Sequence, residues 1–306
     1  MRLRFQLVAL ACLCAPLGAV DRLHPVEVAR FHNFAGGVAL DASGNAYVSH
    51  GRVISRISPD GKRSIWAETG APGGHKILPD GTHLVCDSSR HDVLRLDAQG
   101  KIIGSAITVP DGKRLKSPND LTLDPAGGFY FTDSGGTHGD APGSIHYVDA
   151  AGRSQVAARG LHYPNGIVLR ADARTLLVSE SPLNRIVSFD VIAPGKLGPM
   201  KVFATLPGKQ KDQIDNRPDG MCLDHHGNLF IAHYGMRMVA VLSRTGRLIR
   251  QFPAGVLTPS DVAFGGPKMD QLFITGAVGA EENSEGALVR LDVRMKGQPW
   301  PARPAP

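Results

Sequence analysis

The chain has 306 residues, of which 42% are hydrophobic and 20% charged, an ordinary globular balance that allows a sizeable buried core. Its 34 basic and 28 acidic residues give a formal charge of +6. The basic clusters "GKRLK" (112–116) and "PGKQK" (207–211) lie beside turn residues without interleaved aromatics, which argues against a nucleic-acid-binding surface.

The chain opens with "MRLRFQLVALACLCAPLGAV". Arg2 and Arg4, an apolar run and small residues near Leu17-Gly18-Ala19 have the layout of a secretory signal, with cleavage expected after Ala19. The run is short for a membrane span, and no later apolar stretch approaches the ~18 residues that a span needs. Residues 20–306 are therefore expected as one soluble, monomeric domain, periplasmic or secreted, with no membrane association once the signal is removed. Cleavage removes two basic residues and leaves a formal charge of +4. It also removes Cys12 and Cys14, so only Cys86 and Cys222 enter a disulfide-permissive compartment.

Beyond the signal, one phrase recurs: a turn-like opening, a short apolar alternation, a Gly-containing turn, and a strand ending in a polar residue. In chain order it reads "AGGVALDASGNAYVSH" (35–50), "PGGHKILPDGTHLVCD" (72–87), "PNDLTLDPAGGFYFTD" (118–133), "PNGIVLRADARTLLVSE" (164–180), "PDGMCLDHHGNLFIAH" (218–233) and "PSDVAFGGPKMDQLFITG" (259–276). Third strands follow, as in "HDVLRLD" (91–97) and "GALVRLD" (286–292). Six all-β units of roughly 40–50 residues predict an all-β fold, a six-bladed β-propeller, because a small sheet buries both faces only by stacking on neighbours around an axis. In that arrangement Cys86 (blade 2) and Cys222 (blade 5) sit in opposite blades, too far apart for a disulfide.

The residue after each opening Pro or Ala is Gly36, Gly73, Asn119, Asn165, Asp219 and Ser260. The first strand of a blade lines the central channel, so these positions form a ring on which three consecutive blades place hard oxygen donors of the type Ca²⁺ prefers. A turn residue repeated once per blade could also serve only to shape the blade. A second register, His50, Asp87, Asp133, Glu180, His233 and Gly276, ends the second strands and should edge the same mouth. Among the histidines, His75 reads as a satisfied interior residue and His225-His226 as an exposed turn. His50 and His233 are the functional candidates. No zinc-type spacing, nucleophile elbow or dinucleotide fingerprint appears in the right context.

At these residues the sequence resembles the gluconolactonase–regucalcin (senescence marker protein) family. "SPNDLTLDPAGGFYFTD", "YPNGIVL…LLVSES…NRIVSFD" and "RPDGMCLDHHGNLFIAHYG" carry the resemblance, which spans about residues 35–293. It implies a six-bladed propeller with a catalytic Ca²⁺ (or another divalent cation such as Mg²⁺, Mn²⁺ or Zn²⁺) at the channel mouth, and hydrolysis of lactones or, in some members, organophosphates. By position it implies Asn119, Asn165 and Asp219 as metal ligands, Asp219 also as general base or nucleophile, and Asp120 as support behind them. The family carries a Glu ligand in its first blade where this chain has Gly36, so one carboxylate would face the ion instead of two. Waters, or Asp87, Asp133 or Glu180 turned inward, could complete the coordination.

The reading is an exported, metal-dependent hydrolase of a small lactone, with His50 or His233 available to protonate the leaving alkoxide. The alternatives are a non-catalytic propeller that binds a small molecule or protein at the same mouth, and a related phosphotriesterase or lyase.

Overall fold

The computed structural model describes residues 23–108, 114–136, 141–210, 212–281 and 284–298, so the signal expected over residues 1–19 lies outside the described residues. The strands form six antiparallel sheets, and among the described residues there is no α-helix. Blade 1 comprises Ala35–Leu40, Ala46–His50, Val53–Ile57 and Arg63–Glu68, and blade 2 Pro72–Ile77, His83–Asp87, Asp92–Leu96 and Ile102–Ser105. Blade 3 comprises Pro118–Leu123, Phe129–Asp133, Gly143–Val148 and Ser154–Leu161. Blade 4 comprises Pro164–Leu169, Thr175–Glu180, Arg185–Ala193 and Lys201–Thr205, with the short strand Lys196–Leu197 as an extra. Blade 5 comprises Arg217–Leu223, Leu229–Tyr234, Met238–Leu242 and Leu248–Pro253. Each first strand packs on the next, and the first strand of blade 6, Thr258–Gly265, returns to that of blade 1. The six-bladed propeller expected from the repeat is the fold.

Blade 6 is completed by a segment outside the repeated phrases. Its strands Thr258–Gly265, Gln271–Ala277 and Gly286–Asp292 are joined by Val26–Phe31 from the chain's beginning, antiparallel, with Val26 opposite Arg290 and Phe31 opposite Gly286. Ring closure therefore rests on backbone hydrogen bonds between the two ends of the chain. An open sheet edge at the seam is avoided in the same step.

The apolar core is divided among the blade interfaces. Six separate clusters lie between successive blades: Tyr47, Ile54, Val85 and Leu94 between blades 1 and 2, for example, and Phe230, Val241, Val262 and Leu272 between blades 5 and 6. Apolar positions point into these interfaces, so the axis is left to small and polar residues. Cys86 and Cys222 are both free, in opposite blades. His75 is buried, with Nε2 2.7 Å from His83 Nδ1, and His225 and His226 are exposed. His225 and His226 lie as expected; His75 is interior as expected, but it is only half satisfied, because its buried Nδ1 has no hydrogen-bond partner among the described residues.

The triplets that open the phrases are part of the first strands. In blade 3, Pro118 pairs with Asp133 and Leu121 with Phe131, so Asn119 and Asp120 together oppose the single residue Thr132. The same extra residue occurs in blades 1, 2, 4 and 5, and blade 6 has a related break between Pro259 and Asp261. It is a β-bulge, which bends the strand and re-aims a side chain off the sheet face. Proline suits the first strand position, where its missing N–H costs no ladder bond.

Phe31, at 1% exposure, packs with Val38, Val48, Phe273 and Leu288 across the seam between blades 6 and 1. Phe31→Ala should lower unfolding free energy by ~3–5 kcal/mol, the usual cost of a large buried truncation, as measured by chemical denaturation. A loss below ~1 kcal/mol would show that the chain-end strand does not lock the ring.

Candidate functional site at the channel mouth

The bulges open on a cavity of about 640 Å³ at one end of the channel, with Asn119, Asn165 and Asp219 in its wall beside Gly36, Gly73 and Ser260. The structure thus brings the three donors of consecutive blades together. Asn119 Nδ2 donates to Ser134 Oγ at 3.0 Å. The Asn165 amide favours the ionised form of Asp219. Burial, reinforced by the nearby Asp261 and Asp120, pushes the Asp219 carboxyl well above the usual carboxylate range. Asp219 therefore sits where added positive charge would be strongly stabilising.

Hydroxyls of the preceding blade hold the bulge carbonyls of the next. Thr132 Oγ1 donates to Asn165 O at 2.7 Å and Ser134 Oγ to Pro164 O at 2.8 Å. Ser179 Oγ donates to Asp219 O at 3.1 Å and Ser181 Oγ to Pro218 O at 2.6 Å. These bonds satisfy carbonyls that the bulge leaves without a ladder partner. They also make functional sense of "TDS" (132–134) and "SES" (179–181), a hydroxyl–acid–hydroxyl signal that the sequence reading passed over.

The acids inside those triplets face elsewhere than expected. Asp133 accepts the backbone N–H groups of Lys116 at 2.9 Å and Ser117 at 2.7 Å. Asp87 accepts those of Gly70 at 2.6 Å, Ala71 at 2.9 Å and Arg90 at 3.0 Å. Glu180 accepts from His162 N at 2.7 Å and pairs with Arg185 at 2.5 Å. Each carboxylate clamps the loop that feeds its own blade, and none lines the mouth cavity. The expectation that Asp87, Asp133 or Glu180 turns inward is corrected: loop N–H groups with no strand partner claim these oxygens first.

The two histidines also separate. His233 is buried away from the cavity wall, with Nε2 2.9 Å from Asn184 Oδ1, and burial lowers its pKa to about 4. His50 does line the cavity, with Nε2 2.8 Å from Ser55 Oγ and its ring 4.5 Å from that of Phe31. Burial first, then Arg63 and His32, lowers its pKa to about 4. Both are neutral at neutral pH, so the near-neutral pKa behind the proton-donor expectation is absent at each.

One layer deeper lies a charged plug that sequence reasoning recognised only in part. Asp120 accepts from Leu121 N at 2.8 Å and, in the next blade, Ile167 N at 3.1 Å. Asp261 repeats this across the channel with Val262 N at 2.8 Å and Val38 N at 2.9 Å. Lys76 Nζ stands 3.9 Å from Asp120 Oδ1. Burial pulls the Lys76 pKa down, and Asp120 and Asp261 more than offset it, so the ammonium stays charged. Burial raises the Asp261 carboxyl to about 7 against the pull of Lys76. Asp120 thus ties its own strand to the following blade, and the sequence reading missed Asp261 and Lys76.

Among the described residues no group of three or more His, Cys, Asp or Glu side chains is arranged to hold a metal ion. A cation at the mouth would instead meet the mixed amide–carboxylate set of Asn119, Asn165 and Asp219. That set suits a hard ion, and the Asp219 carboxyl would supply the charge once the ion displaces its proton.

The sequence profile of the SMP-30/gluconolactonase/LRE-like region matches residues 48–278. The chain belongs to this family. It is 29% identical over 226 residues to lactonase drp35 of Staphylococcus saprophyticus, covering 70% of this chain and 68% of that protein. Among solved structures, a gluconolactonase from Xanthomonas campestris superposes with a TM-score of 0.76 at 26% identity, covering 94% of each chain. Regucalcin from Agrobacterium tumefaciens, described as calcium-binding, has the same fold, with a TM-score of 0.79 at 19% identity over 92% of this chain and 98% of that one.

Gly36 stands where the resemblance implies a Glu ligand, and the backbone tolerates a side chain there. Gly36 has no positive φ, and an added Cβ would meet nothing closer than Ser49 O at 3.6 Å. Gly36→Glu should therefore fold and, by adding a second carboxylate, tighten Ca²⁺ by about tenfold or ~1.4 kcal/mol. Calorimetric titration with circular dichroism as the fold check tests this. A folded variant that ignores both Ca²⁺ and Mg²⁺ would contradict the metal-site reading.

Proposed function

We propose that this family member is a divalent-cation-dependent lactone hydrolase, exported by the leader over residues 1–19 and acting on a small-molecule substrate. The convergence of Asn119, Asn165 and Asp219 on the mouth cavity carries the reading, and the lactonase and gluconolactonase relatives support it. A divalent cation held by those three side chains would supply an electrophile for the ester carbonyl. Asp219 then has two routes open to it, taking a proton from the attacking water or attacking the acyl carbon itself. Either way the ring C–O bond breaks, the acyl carbon gains the hydroxyl of water, and the alkoxide takes the proton to give a hydroxy acid. Asn165 favours the ionised form of Asp219 that either route needs. The Asp120–Lys76–Asp261 layer closes the channel beneath and keeps the reacting groups at the mouth.

A second reading, a binding propeller without catalysis, is favoured by one observation: the first blade contributes no carboxylate at Gly36.

Asp219→Asn is nearly isosteric and removes the only carboxylate of the outer ring. Its kcat on a reactive lactone with saturating Ca²⁺ should fall by ~10²–10⁴-fold while the circular dichroism spectrum is unchanged. Activity within a factor of two of the parent would exclude the mechanism. The export proposal expects the protein recovered from outside the cytoplasm to begin at Val20 by N-terminal sequencing. Recovery with Met1 intact would count against it.

A further inference from the structure

The mouth cavity has two unlike halves. Over blades 3, 4 and 5 the ring carries Asn119, Asn165 and Asp219. Over blades 1 and 2 it carries only Gly36 and Gly73, and the Ser260 hydroxyl is spent on Ala35 O at 2.6 Å and Gly36 O at 3.1 Å. The two glycines differ in what they require. A Cβ on Gly73 would stand 2.7 Å from Asn119 O, so packing of neighbouring strands dictates glycine there. Gly36 has no such constraint, as shown above. At position 36 an added Cβ would make only ordinary contacts, with Ser49 O at 3.6 Å and Pro72 O at 3.9 Å, so glycine keeps that part of the cavity wall free of side-chain atoms.

The cavity wall around blades 1 and 2 is lined by Phe34, His50, Ala71 and Pro72 together with the polar Asn33, Ser49 and Ser88, and the two serine hydroxyls are spent on Gly73 O at 2.9 Å and Ala71 O at 3.4 Å. All are uncharged, since His50 is neutral. The charged residues of the cavity wall, Asp120, Asp215, Asp219, Asp261 and Arg217, come from blades 3, 5 and 6 and the loop entering blade 5. The floor offers few free acceptors either, because Gly73 O accepts from Ser49 Oγ at 2.9 Å and Gly36 O is bonded by Thr275 as well as Ser260. Such a surface offers no charge and few free polar groups to an ionic or polyhydroxylated substituent, while Phe34, Ala71 and Pro72 reward burial of apolar area. At about 640 Å³ the cavity is also larger than a bare lactone ring needs, within the range of sites that bury drug-sized ligands.

We propose that Gly36 is a specificity-determining position, opening a glycine-floored shelf that takes an alkyl substituent carried by the lactone ring. The inference rests on the lactonase reading and narrows its substrate class. The ester would sit over Asn119, Asn165 and Asp219, with the chain running across Gly36 toward Phe34.

The test compares kcat/KM for γ-decanolactone and γ-butyrolactone in the parent, Gly36→Ala and Gly36→Leu, all with saturating Ca²⁺. The parent should prefer γ-decanolactone. The preference should fall about tenfold in Gly36→Leu and by less in Gly36→Ala, chiefly through KM for the longer substrate. An unchanged ratio in a folded Gly36→Leu, or a parent that prefers γ-butyrolactone, overturns the shelf while leaving the lactonase reading intact. A parent that hydrolyses neither compound overturns the lactonase reading, and the shelf with it. Should Gly36→Leu not fold, Gly36→Ala carries the same comparison, and an unchanged ratio there rejects the proposal.

Discussion

Six first strands meet so closely around the axis that their side chains have almost nowhere to go. A Cβ on Gly166 would lie 2.3 Å from Asp219 O, and one on Gly37 2.2 Å from Gly73 O. At Gly74 and Gly220 it would lie 2.2 Å from Asp120 Oδ1 and 2.1 Å from Asp261 Oδ1. Two carboxylates, in opposite blades, therefore fill the space that the other four blades leave by being glycine. Each then reaches the N–H of the following blade. Two such acids facing one another in a narrow channel would repel, and Lys76 relieves that repulsion from within.

The bulges are the other half of the same constraint. A regular pleat would send Asn119, Asn165 and Asp219 into the crowded strand contacts, whereas the extra residue turns them toward the mouth. The cost is a set of carbonyls without ladder partners, which the hydroxyls of Ser49, Thr132, Ser179 and Thr275 meet across the blade boundary. Chemistry at the mouth and cohesion of the ring therefore depend on the same few residues. Replacing a hydroxyl such as Thr132 would disturb Asn165 through its backbone, without touching a substrate.

Charge is graded along the channel. The plug balances two carboxyls against one ammonium, and Asp219 above it is buried near both of those carboxyls. That asymmetry favours a cation at the mouth over one deeper in, where Lys76 already occupies the favourable place. It also makes Gly36 consequential twice, since the missing side chain withholds a donor from any ion and leaves room for substrate.

The repeated phrases by themselves determined the propeller, the blade order and the convergence of Asn119, Asn165 and Asp219. A period of one small sheet per unit has few ways to bury itself, and equivalent positions in a ring must face one axis. Tertiary structure alone decided which polar residues were free to act. Asp87, Asp133, Glu180 and His233 share a register with His50, yet loop N–H groups and Asn184 claim them. A register records where a side chain starts, and its partners come from segments far away in the chain. The strand Val26–Phe31 and the Lys76 plug were hidden for the same reason: one matches no repeat, the other looks like a surface residue in its own strand. Both acquire meaning only when blades distant in sequence close around the axis.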